Sequence, residues 1–344
     1  MKARLLVWLI LYATLISCSN KPKMEIEEMK LQLAPLTIDS LTIGQAYGML
    51  LVDSNLLIVD GHSDFLFHWI NLNNFTYEDI GKIGQGPDEF LHFDNFYCIN
   101  GKYGFYDRRL RHSNDILFLE HGISLNKNIE YNSLHYKVVP TAFDTFIGIG
   151  PYEKGLFCIL DSKGDTVNIV GEQPYRDETE RSIPEIARAM AYQGKIAISP
   201  CGKHLAHAIY TAPIISFYEL SPKDISLSMS HIESYPTYKP ELDNNSYASA
   251  MSKSNKLGYI DIAVTDKYVY ALLSGRSIEE SGLSAFTGNV ICVFDWKGTL
   301  HRKIICNTDL TTICVSPDDS MIYAVGLVED YELLSAELED CHNK

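Results

Sequence analysis

The chain has 344 residues and a formal net charge of −15. Proteins that bind nucleic acid gain most of their affinity by neutralising phosphates with basic side chains, so this acidic chain, which has no basic stripe, is not expected to bind nucleic acid. The length exceeds that of one ordinary globular domain and favours either several domains or one repetitive domain.

The N-terminus has the pattern of a lipoprotein signal peptide. Lys2 and Arg4 precede an apolar run over residues 5–16, which is shorter than the roughly 20 residues that a membrane-spanning helix needs. The run ends in Leu15-Ile16-Ser17-Cys18, which resembles the lipobox of bacterial lipoproteins. We therefore expect acylation of Cys18 and a firm membrane anchor, with an ordinary signal peptide and an incidental cysteine as the alternative.

This interpretation divides the chain into three parts. They are a signal peptide over residues 1–17, a lipidated polar tether over 18–30 and one domain over 31–344. Ser19 follows the lipidated cysteine, where an aspartate would indicate retention in the inner membrane. We therefore expect an outer-membrane lipoprotein of the cell envelope that faces either the periplasm or the exterior.

Seven cysteines follow Cys18, and no two of them form a C-x-x-C pair. Zinc sites and dense disulfide frameworks use more closely spaced cysteines. We expect these cysteines to fill small apolar positions in strands, with one or two disulfides as the alternative in an oxidising compartment.

From residue 48 onward, short strand-like runs alternate with turn residues. The first and the last complete sets of four runs cover residues 48–53, 56–60, 65–72 and 77–83, and residues 259–265, 268–274, 289–296 and 300–306. Four such strands are the content of one antiparallel propeller blade. Residues 268–273 are almost entirely apolar or aromatic, as expected for a strand that neighbouring blades cover on both faces.

Further runs lie between and after these sets. They cover residues 97–107, 115–120, 145–150, 155–161, 165–171, 195–199, 204–210, 214–220, 312–316, 321–326 and 331–338. Six blades would average about 54 residues each and seven about 47, and the irregular spacing favours six. The last set has three strands, so we expect a strand near residues 36–43 to complete it and close the ring.

Two segments depart from the strand pattern. Residues 178–192 place apolar side chains at helical spacing behind Pro184 and predict one short amphipathic helix over a propeller face. Residues 230–256 are polar and contain two prolines and two adjacent asparagines. This second segment is predicted to be a mobile surface loop.

The segment Lys82-Ile83-Gly84-Gln85-Gly86-Pro87-Asp88-Glu89-Phe90 resembles the G-x-G-P-x-E-F signature of the TolB-like, six-bladed propeller lipoproteins of Bacteroidetes. Residues 259–275 and 293–298 are similar to later segments of that family. The resemblance covers most of the chain and implies an all-β, six-bladed propeller of four-stranded antiparallel blades on a lipid anchor. It implies no catalytic residues, because the family is largely uncharacterised.

The glycine-rich segment is the first candidate binding element. Gly84 and Gly86 would let backbone N–H groups approach an anion, with Glu89 beside them. The alternative is a tight crossover between blades that Pro87 stiffens. Because no helix is predicted to begin here, the segment is neither a P-loop nor a dinucleotide-binding loop.

Acidic residues in strand-end turns are the second candidate. Asp60, His62 and Asp64 share one turn, and Asp107 occupies a similar place one blade later. If such side chains converged on the propeller axis, their oxygen atoms would suit Ca²⁺. Ca²⁺ is the cofactor that the sequence suggests. The alternative is solvated turn residues, because aspartate is common in turns.

Other patterns with chemical meaning are incomplete. His204 and His207 form an H-x-x-H pair, but strand alternation would send their side chains to opposite faces. Gly282–Phe286 lacks the final glycine of the G-x-S-x-G nucleophile motif. Tyrosines in predicted loops, which either stack on a sugar or protein ligand or pack between blades, are Tyr152, Tyr175, Tyr235, Tyr238 and Tyr247.

The sequence therefore favours a non-enzymatic binding or scaffold module, held at the outer membrane by its lipid. We expect a protein or carbohydrate partner on the propeller face that carries residues 178–192, and the oligomeric state is open. The second hypothesis is a metal-dependent hydrolase or lyase of the lactonase-like propeller class, with a central divalent ion. That enzyme would require carboxylates from several blades to meet at one axial point.

Overall fold

The computed structural model describes residues 26–119, 122–243, 246–327 and 330–338. The expected signal peptide, the lipidation site Cys18 and Cys341 lie outside this part of the chain. Within the described ranges, none of the helices is long and apolar enough to span a bilayer.

The chain forms an all-β propeller of six antiparallel blades. It begins with two short strands that join the last two blades, β1 (Glu27–Leu31) and β2 (Ala34–Pro35). Blades 1 and 2 are separate four-stranded sheets, made of β3 (Ala46–Val52), β4 (Asn55–Asp60), β5 (Phe65–Asn71) and β6 (Thr76–Lys82), and of β7 (Asn95–Ile99), β8 (Lys102–Asp107), β9 (His112–Leu119) and β10 (Gly122–Glu130).

Blades 3 and 4 have the same construction. Their strands are β11 (Lys137–Pro140), β12 (Phe146–Ile149), β13 (Phe157–Leu160) and β14 (Thr166–Val170), and β15 (Gly194–Ile198), β16 (His204–Ile209), β17 (Ile214–Leu220) and β18 (Ile225–Ile232). The first strand of each blade contacts the first strands of other blades, so these strands surround the axis.

Blades 5 and 6 share one bent strand and form a single eight-stranded sheet with β1 and β2. Blade 5 contains β21 (Tyr259–Val264), β22 (Tyr268–Leu273), β23 (Gly288–Asp295) and the first half of β24 (Leu300–Val315). Blade 6 contains the second half of β24, β25 (Met321–Leu327) and β26 (Tyr331–Glu337). Near Leu310 the partner of β24 changes from β23 to β25, which makes this half the innermost strand of blade 6.

The N-terminal strands close the ring. β2 is the outermost strand of blade 6, with Ala34 opposite Ser335, and β1 runs parallel to β24 at the outer edge of blade 5. The expected closing strand is therefore present at residues 34–35 rather than 36–43, and residues 27–30 belong to a strand rather than to the tether. The reason is apolar burial, because Leu31 and Leu33 enter the core of blades 5 and 6.

The predicted runs 48–53, 56–60, 65–72 and 77–83 match blade 1, and the late set matches blade 5. The run 97–107 is instead two strands, because Asn100 and Gly101 have positive φ angles of 48° and 72° and reverse the chain. The sequence analysis did not predict β10, β11 and β18. Of these, β10 and β18 are outer strands in which apolar and polar residues alternate.

Three insertions lie on one face of the propeller, where the innermost strands begin. They are α1 (Glu178–Arg181) with α2 (Glu185–Ala191), the hairpin of β19 (Tyr238–Asp243) and β20 (Ser246–Met251), and α3 (Ile278–Ser281) with the 3₁₀ helix Gly282–Phe286. Each follows a strand that ends on this face and precedes one that begins there.

Two predictions for these insertions were wrong. Residues 178–192 form two helices, because Pro184 lacks an N–H group and starts a new helix as its N-cap. Residues 230–256 contain the end of β18 and the hairpin strands β19 and β20, where a loop without strands was expected. The Ser249 hydroxyl of this hairpin donates to the Ala187 carbonyl oxygen at 2.7 Å, which fixes the hairpin on α2.

Candidate functional site at the wide end of the axis

Two cavities lie along the propeller axis, one at each end. The larger has a volume of about 680 Å³ and is lined near the axis by the first residues of the innermost strands, including Tyr47, Lys137, Lys195 and Thr311. The smaller, of about 320 Å³, is lined by the later residues of these strands. We call the larger cavity the mouth, and its volume is typical of small-molecule sites.

Lys195 forms the floor of the mouth. Phe93, Asp94 and Lys195 line both cavities and therefore separate them. The Lys195 ammonium group donates to Asp261 Oδ1 in blade 5 at 2.6 Å and to the Tyr47 carbonyl oxygen in blade 1 at 3.2 Å. Blades 1 and 4 face each other in a ring of six, so this side chain crosses the axis.

An aromatic side chain from every blade lines the mouth. In blade order, these side chains are Tyr47, Phe93, Tyr136, Tyr210, Phe286 and Tyr331. The rings of Tyr210 and Phe286 are nearly parallel, with centroids 6.4 Å apart. The exposed Leu283, at 84 %, extends the apolar surface at the rim.

Among the described residues, the ionisable side chains other than tyrosine that line the mouth come from three neighbouring blades. His92, Asp94 and Arg108 come from blade 2, Lys137 from blade 3 and Lys195 from blade 4. Among the residues that the structure describes, the lining from blades 5, 6 and 1 is uncharged and consists of Ile260, Leu283, Ser284, Phe286, Thr287, Thr311, Leu327, Tyr331, Gln45, Ala46 and Tyr47. The mouth therefore has a cationic side and an uncharged side, and aromatic rings lie on both.

Asp94 organises the cationic side. Its buried carboxylate accepts a hydrogen bond from the Arg108 backbone N–H at 3.0 Å, and its Oδ1 atom lies 3.5 Å from both Arg108 Nε and Lys137 Nζ. The Lys137 ammonium group also donates to the Asp94 carbonyl oxygen at 2.6 Å. These contacts connect blades 2 and 3 at the axis.

Burial lowers the pKa of Lys137 to about 8. The charge of Asp94 opposes this change, whereas the positive charges of Lys195 and Arg108 add to it. Burial also lowers the pKa of His92, against the influence of Asp94. Lys137 is therefore mostly charged at neutral pH, although the surroundings of its ammonium group are unfavourable for that charge.

Asp261 holds the other axial lysine. Besides Lys195, its carboxylate accepts hydrogen bonds from the Thr312 hydroxyl and from the Ile313 backbone N–H, the latter at 3.0 Å. The two axial carboxylates thus each bind an ammonium group. In the described part of the chain, no group of three or more His, Cys, Asp or Glu side chains is arranged to hold a metal ion.

Asp60 and Asp107, two of the predicted binding residues, lie at the ends of β4 and β8 on the face of the mouth but do not line it. Asp60 accepts hydrogen bonds from the N–H groups of Gly44, Gln45 and His62, and Asp107 from those of Leu91, His92, Arg109 and Leu110. Each carboxylate fixes the segment that enters the innermost strand of its own blade. The two aspartates therefore position the mouth-lining residues Gln45 and His92.

The other two predicted residues of the Asp60 turn are at the surface. His62 and Asp64 are exposed, and the Asp64 carbonyl oxygen accepts a hydrogen bond from the Ile83 N–H at 3.0 Å. The structure brings Asp60, His62 and Asp64 together in one turn, and Asp107 lies in the next blade. Direct contact of any of them with a ligand stays a prediction.

The glycine-rich segment folds into a closed crossover between blades 1 and 2. Glu89 Oε2 accepts a hydrogen bond from the Gly86 N–H at 2.8 Å, and Lys82 pairs with the same carboxylate at 3.0 Å. These contacts hold the pKa of Glu89 below its usual value. A side chain at Gly84 would collide with this carboxylate. The place that an anion would take is therefore occupied by the segment's own Glu89.

Three of the tyrosines in predicted loops contact other side chains of the protein, and Tyr152 is buried whereas Tyr175 and Tyr238 are half-buried. The Tyr152 hydroxyl lies 2.6 Å from His135 Nδ1, Tyr238 packs edge-on against Tyr192, and the guanidinium group of Arg181 lies over the Tyr175 ring. The six cysteines in the described residues are free, and four of them are buried.

The sequence reading missed the lysines and most rings of the mouth. A signal was present, since Tyr136-Lys137-Val138-Val139 and Gly194-Lys195-Ile196-Ala197 each place a lysine at the start of an otherwise apolar strand. A lysine that begins a strand covered on both faces must reach water or a partner at the strand end. Only the closed ring places both lysines on the axis.

A family model described as TolB-like 6-blade propeller-like matches residues 27–318. The chain belongs to the family of TolB-like six-bladed propellers. Membership is consistent with a binding or scaffold role. A search of the curated proteins found no match to this TolB-like propeller.

Three solved structures are similar to this TolB-like propeller. A putative exported protein from Bacteroides fragilis is 12% identical, with a TM-score of 0.55, and the alignment covers 92% of this chain and 100% of that one. The Cps50 (Swd1) propeller domain of Myceliophteria thermophila is 12% identical (TM-score 0.47, coverage 88% and 99%), and the hydrazine synthase of Kuenenia stuttgartiensis is 11% identical (TM-score 0.45, coverage 87% and 84%). At these identities the first similarity supports the fold alone.

Proposed function

We propose that this protein is an exported, non-enzymatic binding module that takes a glycan into the mouth. The observation that carries the proposal is a cavity of about 680 Å³ lined by an aromatic side chain from each of six blades. Protein partners usually bind broad surfaces of about 800 Å² per side. A recessed pocket that combines rings with a few polar groups fits a small ligand better.

We further propose that acylated Cys18 holds the module at the outer membrane. The lipobox-like sequence supports the anchor, and the similarity to an exported protein is compatible with it. The path of β1 bears on orientation. Glu27 pairs with Arg302 at the end of blade 5 that lies away from the mouth, and Leu31 pairs with Cys306 nearer to it. A tether that joins before Glu27 therefore favours a mouth that points away from the bilayer.

The mouth is tested by binding of the full-length lipoprotein, in detergent, to an array of neutral and acidic oligosaccharides. Phe286→Ala and Tyr210→Ala remove facing rings, and each should weaken binding of any ligand found by about 10- to 100-fold, as for buried aromatic anchors.

Leu227→Ala is the matched control, because Leu227 is 59% exposed on the outer strand β18, away from the mouth. It should leave the affinity unchanged. Failure of the wild-type protein to bind any saccharide, or equal binding by the ring variants, would contradict the proposed function.

A further inference from the structure

The cationic side of the mouth stands out against the charge of the whole chain. The chain carries a formal charge of −15, yet the charged side chains among the described residues that line the mouth are Arg108, Lys137 and Lys195 with one carboxylate, that of Asp94. The second axial carboxylate, Asp261, lines only the smaller cavity. An anion that approaches this protein therefore meets locally positive groups at the mouth.

The lysines do not use all their hydrogen-bond donors on the protein. An ammonium group has three donors. The hydrogen bonds of Lys137 go to the carbonyl and carboxylate oxygens of one residue, Asp94, and those of Lys195 go to Tyr47 and Asp261. Within the described residues, each ammonium group therefore retains one N–H that can point into the cavity.

The guanidinium group of Arg108 adds further donors. Its side chain is 37% exposed and contacts His92 Nε2 at 3.4 Å through one nitrogen. Arg108, Lys137 and Lys195 come from three consecutive blades, so their charges face one region of the mouth. The opposite side presents Tyr331, Phe286 and other neutral residues to the body of a ligand.

We propose that the ligand of the mouth is an acidic saccharide, whose carboxylate or sulfate group binds between Lys137, Lys195 and Arg108 while its ring lies against Phe286 and Tyr331 on the uncharged side. This inference rests on the proposed function and narrows it to one class of glycan. Charge-assisted hydrogen bonds to an anion are roughly twice as strong as neutral ones. The anion also reduces the repulsion between the two ammonium groups.

The same geometry makes binding depend on pH. The groups that face Lys137 are Asp94, Arg108, Lys195 and His92, and its pKa near 8 means that it loses its charge in mildly alkaline solution. A bound anion favours the protonated lysine. The affinity for an acidic saccharide should therefore be constant near pH 6.5–7 and fall above about pH 8.

The test compares hexuronate and sulfated disaccharides with neutral disaccharides of the same ring type, by calorimetric titration of the full-length lipoprotein. We expect the acidic members to bind at least about tenfold more tightly at pH 7. Two variants remove charge, Lys137→Met and Arg108→Met, and both should abolish this preference. Lys137→Arg should retain most of it.

Lys223→Met, at an exposed turn of blade 4, is the control and should change nothing. Lys137→Met leaves Asp94 without its ammonium partner, so Arg108→Met keeps the test valid if the first variant fails to fold. Equal affinity for acidic and neutral members would overturn the inference and leave the glycan-binding function standing. Binding of no saccharide would reject both, and an acidic preference that survives Arg108→Met would place the anion elsewhere.

Discussion

Asp107 is fully buried at the end of β8, at 0% exposure, and both of its carboxylate oxygens accept hydrogen bonds. The sequence indicated the place of this residue, a strand end near the axis. It did not indicate that four backbone N–H groups would take up its hydrogen-bonding capacity. Those donors come from residues 91–92 and 109–110, and only the packing of the blade brings the first pair near.

Replacing Asp107 should therefore lower stability rather than block a ligand directly. Asp107→Asn keeps the shape but turns one acceptor into a donor that faces backbone N–H groups. We expect the free energy of unfolding to fall by about 2–3 kcal/mol, measured by urea denaturation. Asp88→Asn, at an exposed position of the neighbouring crossover, should change it by less than about 0.5 kcal/mol; equal effects would contradict this role.

His204 and His207 confirm the expected alternation along β16. His204 stacks on Trp296 of blade 5, with ring centroids 6.1 Å apart, and His207 packs against Phe157 of blade 3 at 6.3 Å. Burial lowers the pKa of His207 to about 4, and burial has the same effect on His135. His135 and His207 are therefore neutral in the folded protein over the ordinary pH range.

Acid sensitivity follows from these two side chains. Between pH 6.5 and about 4 the unfolded chain binds protons that the folded protein does not, so stability is highest above pH 6.5 and falls as the pH decreases. His207→Leu removes one of these titrating groups. The slope of the unfolding free energy against pH should therefore decrease by the contribution of about one proton. His62→Leu, at an exposed turn, should leave the slope unchanged, and an equally steep slope in His207→Leu would refute the assignment.

At the scale of elements, strands with a clear pattern of apolar residues were predictable from the sequence. The strand pairings that join one blade to the next were not. Residues 268–273 were expected in the middle of a stack, and five of the six are buried in β22. The parallel strand β1 carries polar residues at most positions and gains its structure from pairing with β24. Such pairing depends on sequence-distant partners, which a local pattern does not contain.

The N-terminal strands should contribute strongly to stability because they close the ring. Leu31→Ala and Leu33→Ala each remove a buried side chain from the core of blades 5 and 6, and each should cost about 2–5 kcal/mol. Ile26→Ala, at a position that is 42% exposed just before β1, is the control and should have a smaller effect. Unchanged unfolding of the two leucine variants would show that β1 and β2 do not secure the ring.

At the scale of the whole molecule, the insertions and the wide cavity share one face, and β1 enters from the other side. The sequence placed residues 178–192 over a propeller face, but it could not predict which end of the axis would be wide. That depends on how six innermost strands converge and on which side chains, above all Lys195, cross the axis.

The proposed orientation can be measured on the lipidated protein in vesicles that contain acceptor-labelled lipid. The native exposed Cys201, in the turn at the narrow end, provides one donor position, and Leu283→Cys in a Cys201→Ser background provides the other at the mouth. Energy transfer should be weaker from position 283, because the mouth points away from the bilayer. Stronger transfer from position 283 would reverse the proposed orientation.

The most direct test of the central claim, that the mouth is where the ligand binds, is hydrogen–deuterium exchange of the full-length protein with and without a saturating acidic saccharide. We predict protection in peptides that contain the first residues of β3, β11 and β15 and the 3₁₀ helix Gly282–Phe286, with no change in the outer strands β14 and β18. Protection confined to the outer strands, or to the turns at the narrow end, would contradict the account.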